Sequence, residues 1–120
     1  MKKPSIQKRI SLAQKKMDRQ MQLENVPLNP QCLVCGSQTA EMHHYVQKTM
    51  SAYLRYEKRN LVPLCKNCHT RHHLSGDPTI VATIARKKGK TWQKWIQDHR
   101  YILVKKDKFY LQELEKKLTP

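Results

Sequence analysis

Four cysteines, Cys32, Cys35, Cys65 and Cys68, stand as two Cys-x-x-Cys pairs with 29 residues between them. Each pair forms a tight turn that aims two thiolates the same way, and two such turns supply the ligands of one tetrahedral zinc ion. Two disulfides or four core thiols are the alternatives. The basic opening Met1-Lys2-Lys3-Pro4 has no apolar segment after it, which argues for the reducing cytoplasm and so for metal over an oxidised scaffold. Four thiolates close the coordination sphere and leave no position for water, so the expected ion is a structural Zn2+.

Histidine crowds into the same stretch: His43, His44, His69, His72 and His73 lie within residues 32–73, and only His99 lies outside. A saturated zinc site has no use for them. If a helix begins near Lys66, His69 and His73 fall four residues apart on one face and can grip a second ion. His72, three residues from His69, competes with His73 for that place. Histidines clustered this densely mark metal or catalytic sites rather than ordinary surface residues.

The order Cys-x-x-Cys, His-His, Asn60, Cys-x-x-Cys-His and a further His resembles the HNH endonucleases over about residues 31–76. The resemblance implies a ββα-metal fold, with the double motif on the first strand of a hairpin and the remaining ligands on the helix that follows. It implies His44 as general base, His43, His69 and His73 as ligands of a catalytic divalent ion, and Asn60 as a tie that orients the base. Many members carry Asp where His43 stands and Asn where His69 stands, and the all-imidazole set is similar to that of the colicin-type nucleases. Imidazoles favour transition ions while Mg2+ prefers oxygen, which leaves Mg2+, Mn2+, Ni2+ and Zn2+ open as the ion of turnover.

The run Leu54-Arg55-Tyr56-Glu57 ahead of Asn60, Gly76 after the helix, and the basic tail to about residue 118 resemble the NinG recombination nucleases of lambda-type bacteriophages. That likeness implies action on recombination intermediates in a host cytoplasm. The partners it brings with it are DNA and either a second copy of the chain or phage recombination and packaging proteins. A zinc-stabilised nucleic-acid-binding module without catalysis and an RNA-directed nuclease are the competing readings.

Charge points the same way. Against 9 Asp and Glu stand 24 Lys and Arg, a formal net charge of +15 on 120 residues, which calls for a polyanionic partner. The candidates for phosphate contact are Lys48, Arg55, Arg71, Arg86, Lys87, Lys88 and Lys90. A membrane is not expected, since no run of about 18 apolar residues exists.

In chain order, Ile6, Ile10, Ala13, Met17 and Met21 recur at helical spacing over residues 5–24, before Pro27 and Pro30. That helix is a DNA-tracking arm, a dimer contact or a flexible leader. Residues 31–36 are the first zinc knuckle, Thr39 to Val46 a strand, Gln47 to Arg59 a partly helical loop, Leu61 to Leu64 a second strand and Lys66 to Ser75 the histidine-bearing helix. Alternation sends His43 and His44 to opposite sides of a regular strand, so the strand must end or twist there if both serve one site. Thr79 to Lys88 reads as a helix closed by Gly89. Thr91 is the N-cap expected for the next, carrying Trp92, Trp95 and Ile96 towards the core, and Asp107 that for a last helix with Phe109, Tyr110, Leu111, Leu114 and Leu118. His99 reads as an ordinary surface residue. The expectation is an α+β chain: a ββα-metal core at 31–77 with a four-cysteine zinc, flanked by basic helical segments at 1–30 and 78–120.

Overall fold

The structure, a computed structural model, describes residues 4–26, 30–38 and 40–118. The expectations that fall on Met1 to Lys3, on Pro27 and on Thr39 lie outside the described residues. Elements follow in the order α1 (Ile6–Asn25), β1 (Glu41–His44), two single 3-10 turns (Leu54–Tyr56 and Lys58–Asn60), β2 (Leu61–Leu64), α2 (Lys66–His73), α3 (Pro78–Lys88), α4 (Lys90–His99) and α5 (Lys108–Leu118). The chain is mixed helix and sheet, with β1 and β2 antiparallel and His43 opposite Val62, His44 opposite Leu61.

Two hydrophobic clusters meet the two faces of this hairpin. On one, Leu61 joins Ile10, Ala13, Met17 and Met21 of α1 and Leu111 and Leu114 of α5, with Met42 packed against them. On the other, Val62 and Leu64 join Cys32, Cys65 and Cys68 and the α3 residues Ile80 and Ile84. Leu61, Val62 and Leu64 are all buried, so β2 reads as a continuous apolar run because it is covered on both sides. Each such side chain is worth about 1.5–3 kcal/mol by its burial, which makes this short strand the seam between the two clusters.

The apolar stripe of α1 therefore packs on α5, its neighbour nearly a hundred residues away. Gln14 is buried in the same seam, where its Nε2 donates to the Tyr110 hydroxyl at 2.9 Å. Ser5 caps α1 by accepting the Lys8 N–H, and Arg9 pairs with Glu115 at 3.1 Å outside the seam.

Two local expectations, on Thr91 and His99, are corrected. Helix α4 starts at Lys90 with Gly89 in the cap position, φ +94°, so Thr91 lies inside the first turn instead of capping it. Within α4, Ile96 is fully in the core as expected, and Trp92 and Trp95 pack against it half-buried, with their outer edges on the loop, where Trp92 Nε1 donates to the Arg59 carbonyl at 2.7 Å and the Arg59 guanidinium lies 4.7 Å over the Trp95 ring. His99 is not a bare surface residue: it stacks on Trp95 at 4.3 Å and on Tyr53 at 5.7 Å, with Nδ1 donating to the Trp95 carbonyl.

Candidate functional site

The cysteines meet beneath the hairpin. The Sγ atoms of Cys32, Cys35, Cys65 and Cys68 all lie within 4.8 Å of one another, with Cys35 and Cys65 3.6 Å apart. Four sulfurs about 2.3 Å from a tetrahedral zinc stand about 3.8 Å from each other, so the donor set and its spacing fit that ion. The four are free cysteines, with no disulfide among them. Gly36 gives the first knuckle its turn: its φ is +77° and its N–H returns to the Cys32 carbonyl at 2.9 Å, a conformation that a side chain would strain. Burial opposes ionisation of Cys32, yet the backbone N–H groups of Cys35, Cys65 and Val34 outweigh it and bring the thiol down to about 6. Cys65 serves twice, since its sulfur also accepts the Cys68 N–H as the N-cap of α2.

From that cap, α2 carries His69, His72 and His73 past the end of β1. A cleft of about 780 Å3 opens there, lined by His43, His44, Gln47, Lys48, Thr49, His69 and His73, and on its far side by Lys15, Asp18, Arg19 and Gln22 of α1. The strand geometry explains how adjacent residues share it. His44 follows the face of β1 that looks to α1, His43 the face that looks to α2, and the strand ends at His44, so one cleft wraps round its tip.

Each histidine has a distinct environment. His44 Nε2 lies 2.8 Å from the Arg55 carbonyl, which can only accept, so Nε2 carries the proton and Nδ1 holds the free lone pair. His43 and His69 stack face to face, centroids 3.5 Å apart and planes 9° from parallel, and His73 extends the ladder 5.5 Å beyond His69. Burial first, then the neighbouring imidazoles His69, His44, His72 and His73, holds the His43 pKa down to about 4; burial likewise lowers His44 and His69. These rings are neutral at neutral pH, with lone pairs available for a metal or a proton. His72 is turned away from the cleft: it is buried, its Nε2 donates to the Tyr45 carbonyl at 2.8 Å, and its ring stacks on Tyr45.

As a donor set His43, His69 and His73 suit a transition ion. Their packing is that of stacked rings, and an imidazole binds metal in its own plane, so His43 and His69 need a ring rotation to aim at one point. Among the described residues, the cysteines are the group whose ligand atoms converge at metal-holding distance.

Residues 32–75 match the family model of the HNH endonuclease. This stretch is similar to the HNH endonucleases. Searches of curated proteins and of solved structures returned no match. The domain match takes in both cysteine pairs, the hairpin and α2, and leaves α1 and the helices from α3 onward outside it.

Within the matched stretch, Asn60 is fully buried and does not line the cleft. Its Oδ1 accepts the Val46 N–H at 2.8 Å, and its Nδ2 donates to the carbonyls of Val46 and Leu54 at 2.9 and 3.1 Å. The side chain thus pins the end of β1 to the turn that presents the Arg55 carbonyl.

Of the basic residues picked from the sequence, Lys48 lines the cleft. Arg55 is held by Asp18 through two hydrogen bonds of 3.0 and 2.7 Å. Arg71 grips Asp77 at 2.7 Å, and Asp77 is brought down to about 2 by the Thr79 hydroxyl and N–H and then by Arg71. Lys87 donates to the Leu33 carbonyl at 2.7 Å and so clasps the first knuckle from α3. Arg86, Lys88 and Lys90 do not line the cleft, and Lys88 lies 6.0 Å over the Trp92 ring. A DNA-tracking arm is among the expectations for α1, but Lys15, Asp18, Arg19 and Gln22 are not among the expected site residues. The signal was present as a polar stripe at 15, 18, 19 and 22, one face of a helix, but nothing in the sequence tells which stripe of α1 meets the histidines.

Proposed function

We propose that the chain is a metal-dependent endonuclease that hydrolyses DNA phosphodiester bonds, with a core at 31–77 flanked by basic helical segments. The observation that carries this reading is the His44 hydrogen bond to the Arg55 carbonyl, which leaves Nδ1 unprotonated in a cleft shared with three further imidazoles. In the proposed mechanism His44 takes a proton from the attacking water at Nδ1 while Nε2–H stays fixed on the carbonyl. Asn60 acts behind it as a positioning residue, holding the loop that carries that carbonyl. Lys48 contributes positive charge to the cleft where the phosphate would sit. His43, His69 and His73 would hold a divalent ion, which when bound supplies charge neutralisation at the phosphoryl oxygens and relief for the departing one. Cys32, Cys35, Cys65 and Cys68 would hold the structural Zn2+.

The resemblance of residues 54–57 and Gly76 to NinG nucleases supports branched recombination intermediates as substrate and a host cytoplasm as the place of action. No helix among the described residues is long and apolar enough to cross a membrane. The test compares wild type with His44→Ala on supercoiled plasmid, branched DNA, single strands and RNA, with Mg2+, Mn2+, Ni2+ and Zn2+ in turn. Loss of cleavage by about 100-fold or more in the variant is the expected result; equal nicking by both proteins would remove His44 from the chemistry. A zinc-stabilised nucleic-acid-binding module is the second reading, favoured by the stacked packing of His43 on His69. Binding without cleavage under every ion decides for it.

A further inference from the structure

Helix α1 lies outside the HNH match, yet it forms a whole side of the cleft. Its apolar stripe is spent on α5 and Leu61. The adjoining stripe, Lys15, Asp18, Arg19 and Gln22, faces the histidines across about 780 Å3 of open space. Gln22 fixes that stripe in register by donating to the Met42 carbonyl on β1. Asp18 is the one acid on it, and its charge is already met by Arg55 at 2.7 Å and Lys48 at 3.4 Å. Lys15 and Arg19 remain: both exposed, four residues and so about 6 Å apart along the axis, on the same face. Two of the basic residues near the knuckles are committed elsewhere, Arg71 to Asp77 and Lys87 to the Leu33 carbonyl.

We infer that α1 is the second wall of a nucleic-acid groove, and that Lys15 and Arg19 bind backbone phosphates of the strand presented to His44. This rests on the nuclease reading of the same cleft. Contacts of this kind to phosphate position the nucleic acid and carry no base-sequence information. The wall also assigns the N-terminal segment its part: a built side of the groove, held by α5 before any nucleic acid arrives.

The experiment measures binding of a fluorescein-labelled 20-base-pair DNA duplex by anisotropy across a salt series, in a His44→Ala background so that the probe stays intact. Lys15→Gln with Arg19→Gln is compared with a charge-matched control outside the cleft lining, the exposed pair Lys106→Gln with Lys108→Gln at the start of α5. Glutamine keeps helix propensity, and the melting temperature of each protein is checked alongside. The expected result is a slope of log K against log salt reduced by about 1.8 in the cleft-facing pair, about 0.9 for each phosphate left without its cation, with the control little changed. Equal reduction in both pairs, or none in the cleft-facing pair, overturns the α1 assignment while leaving the nuclease reading intact. A His44→Ala chain that binds no duplex at any salt overturns both together.

Discussion

Asp18 holds the Arg55 guanidinium with both carboxylate oxygens, and the backbone carbonyl of that same Arg55 accepts the Nε2–H of His44. One arginine therefore joins the N-terminal helix to the proposed base. Asp18→Asn keeps the shape and removes the charge, leaving a half-buried guanidinium short of its partner. We predict a loss of about 1–3 kcal/mol in urea denaturation at neutral pH. The Asp18 pKa lies below its ordinary 3.8: burial pushes it up, but Arg55 and Lys48 outweigh burial. A folded pKa lowered in this way gives stability that is complete above 3.8 and lost as pH falls through the folded value. The difference between wild type and Asp18→Asn should therefore shrink only below about pH 4.

Asn60→Ala would strand three backbone groups, the N–H and carbonyl of Val46 and the carbonyl of Leu54. Each unpaired buried group costs about 1–3 kcal/mol, so a destabilisation of at least about 2 kcal/mol is expected by denaturant titration. Asn60→Asp should not restore it, because a carboxylate cannot donate to the two carbonyls.

His72 and His73 separate by what their loss disturbs. His72→Ala removes the bond to the Tyr45 carbonyl and leaves a cavity, and should lower stability by about 2 kcal/mol with little change in Ni2+ affinity at the cleft. His73→Ala should do the reverse, weakening Ni2+ binding by about tenfold or more with the melting temperature nearly unchanged. Calorimetric titration of the zinc-loaded protein reads the first quantity and thermal melting the second. Weaker Ni2+ binding in His72→Ala alone would exchange the two roles.

For the thiolate site, elemental analysis should find one zinc per chain, and Cys68→Ser should release it. Structural zinc sites contribute about 10–16 kcal/mol of apparent binding energy in small domains, more than a typical domain's net stability. Strong chelation should therefore unfold the hairpin and α2, seen as lost ellipticity and recovered on adding Zn2+. A melting curve indifferent to chelator would show that the sulfurs play no such part.

Much of this architecture was legible because its signals are local. Cysteine spacing placed the two knuckles, and the 3.6-residue recurrence of Ile10, Ala13, Met17 and Met21 named the buried face of α1. The turn from β1 to the loop followed from the need to put His43 and His44 in one site. What the chain did not disclose is long-range. The partnership of α1 with α5 joins residues about a hundred positions apart, and apolar stripes say only that a partner exists. For the same reason the sequence points to basic residues near the motif and in the run 86–90, whereas Lys15, Asp18, Arg19 and Gln22 line the side opposite the histidines. Thr91 looked like a cap by residue type, but Gly89, with its positive φ, already makes the break between α3 and α4.

The sulfur of Cys65 both belongs to the four-thiolate cluster and begins the helix on which His69 and His73 stand. Peroxide or disulfide stress that consumed this one atom would unfasten the imidazoles along with the knuckles.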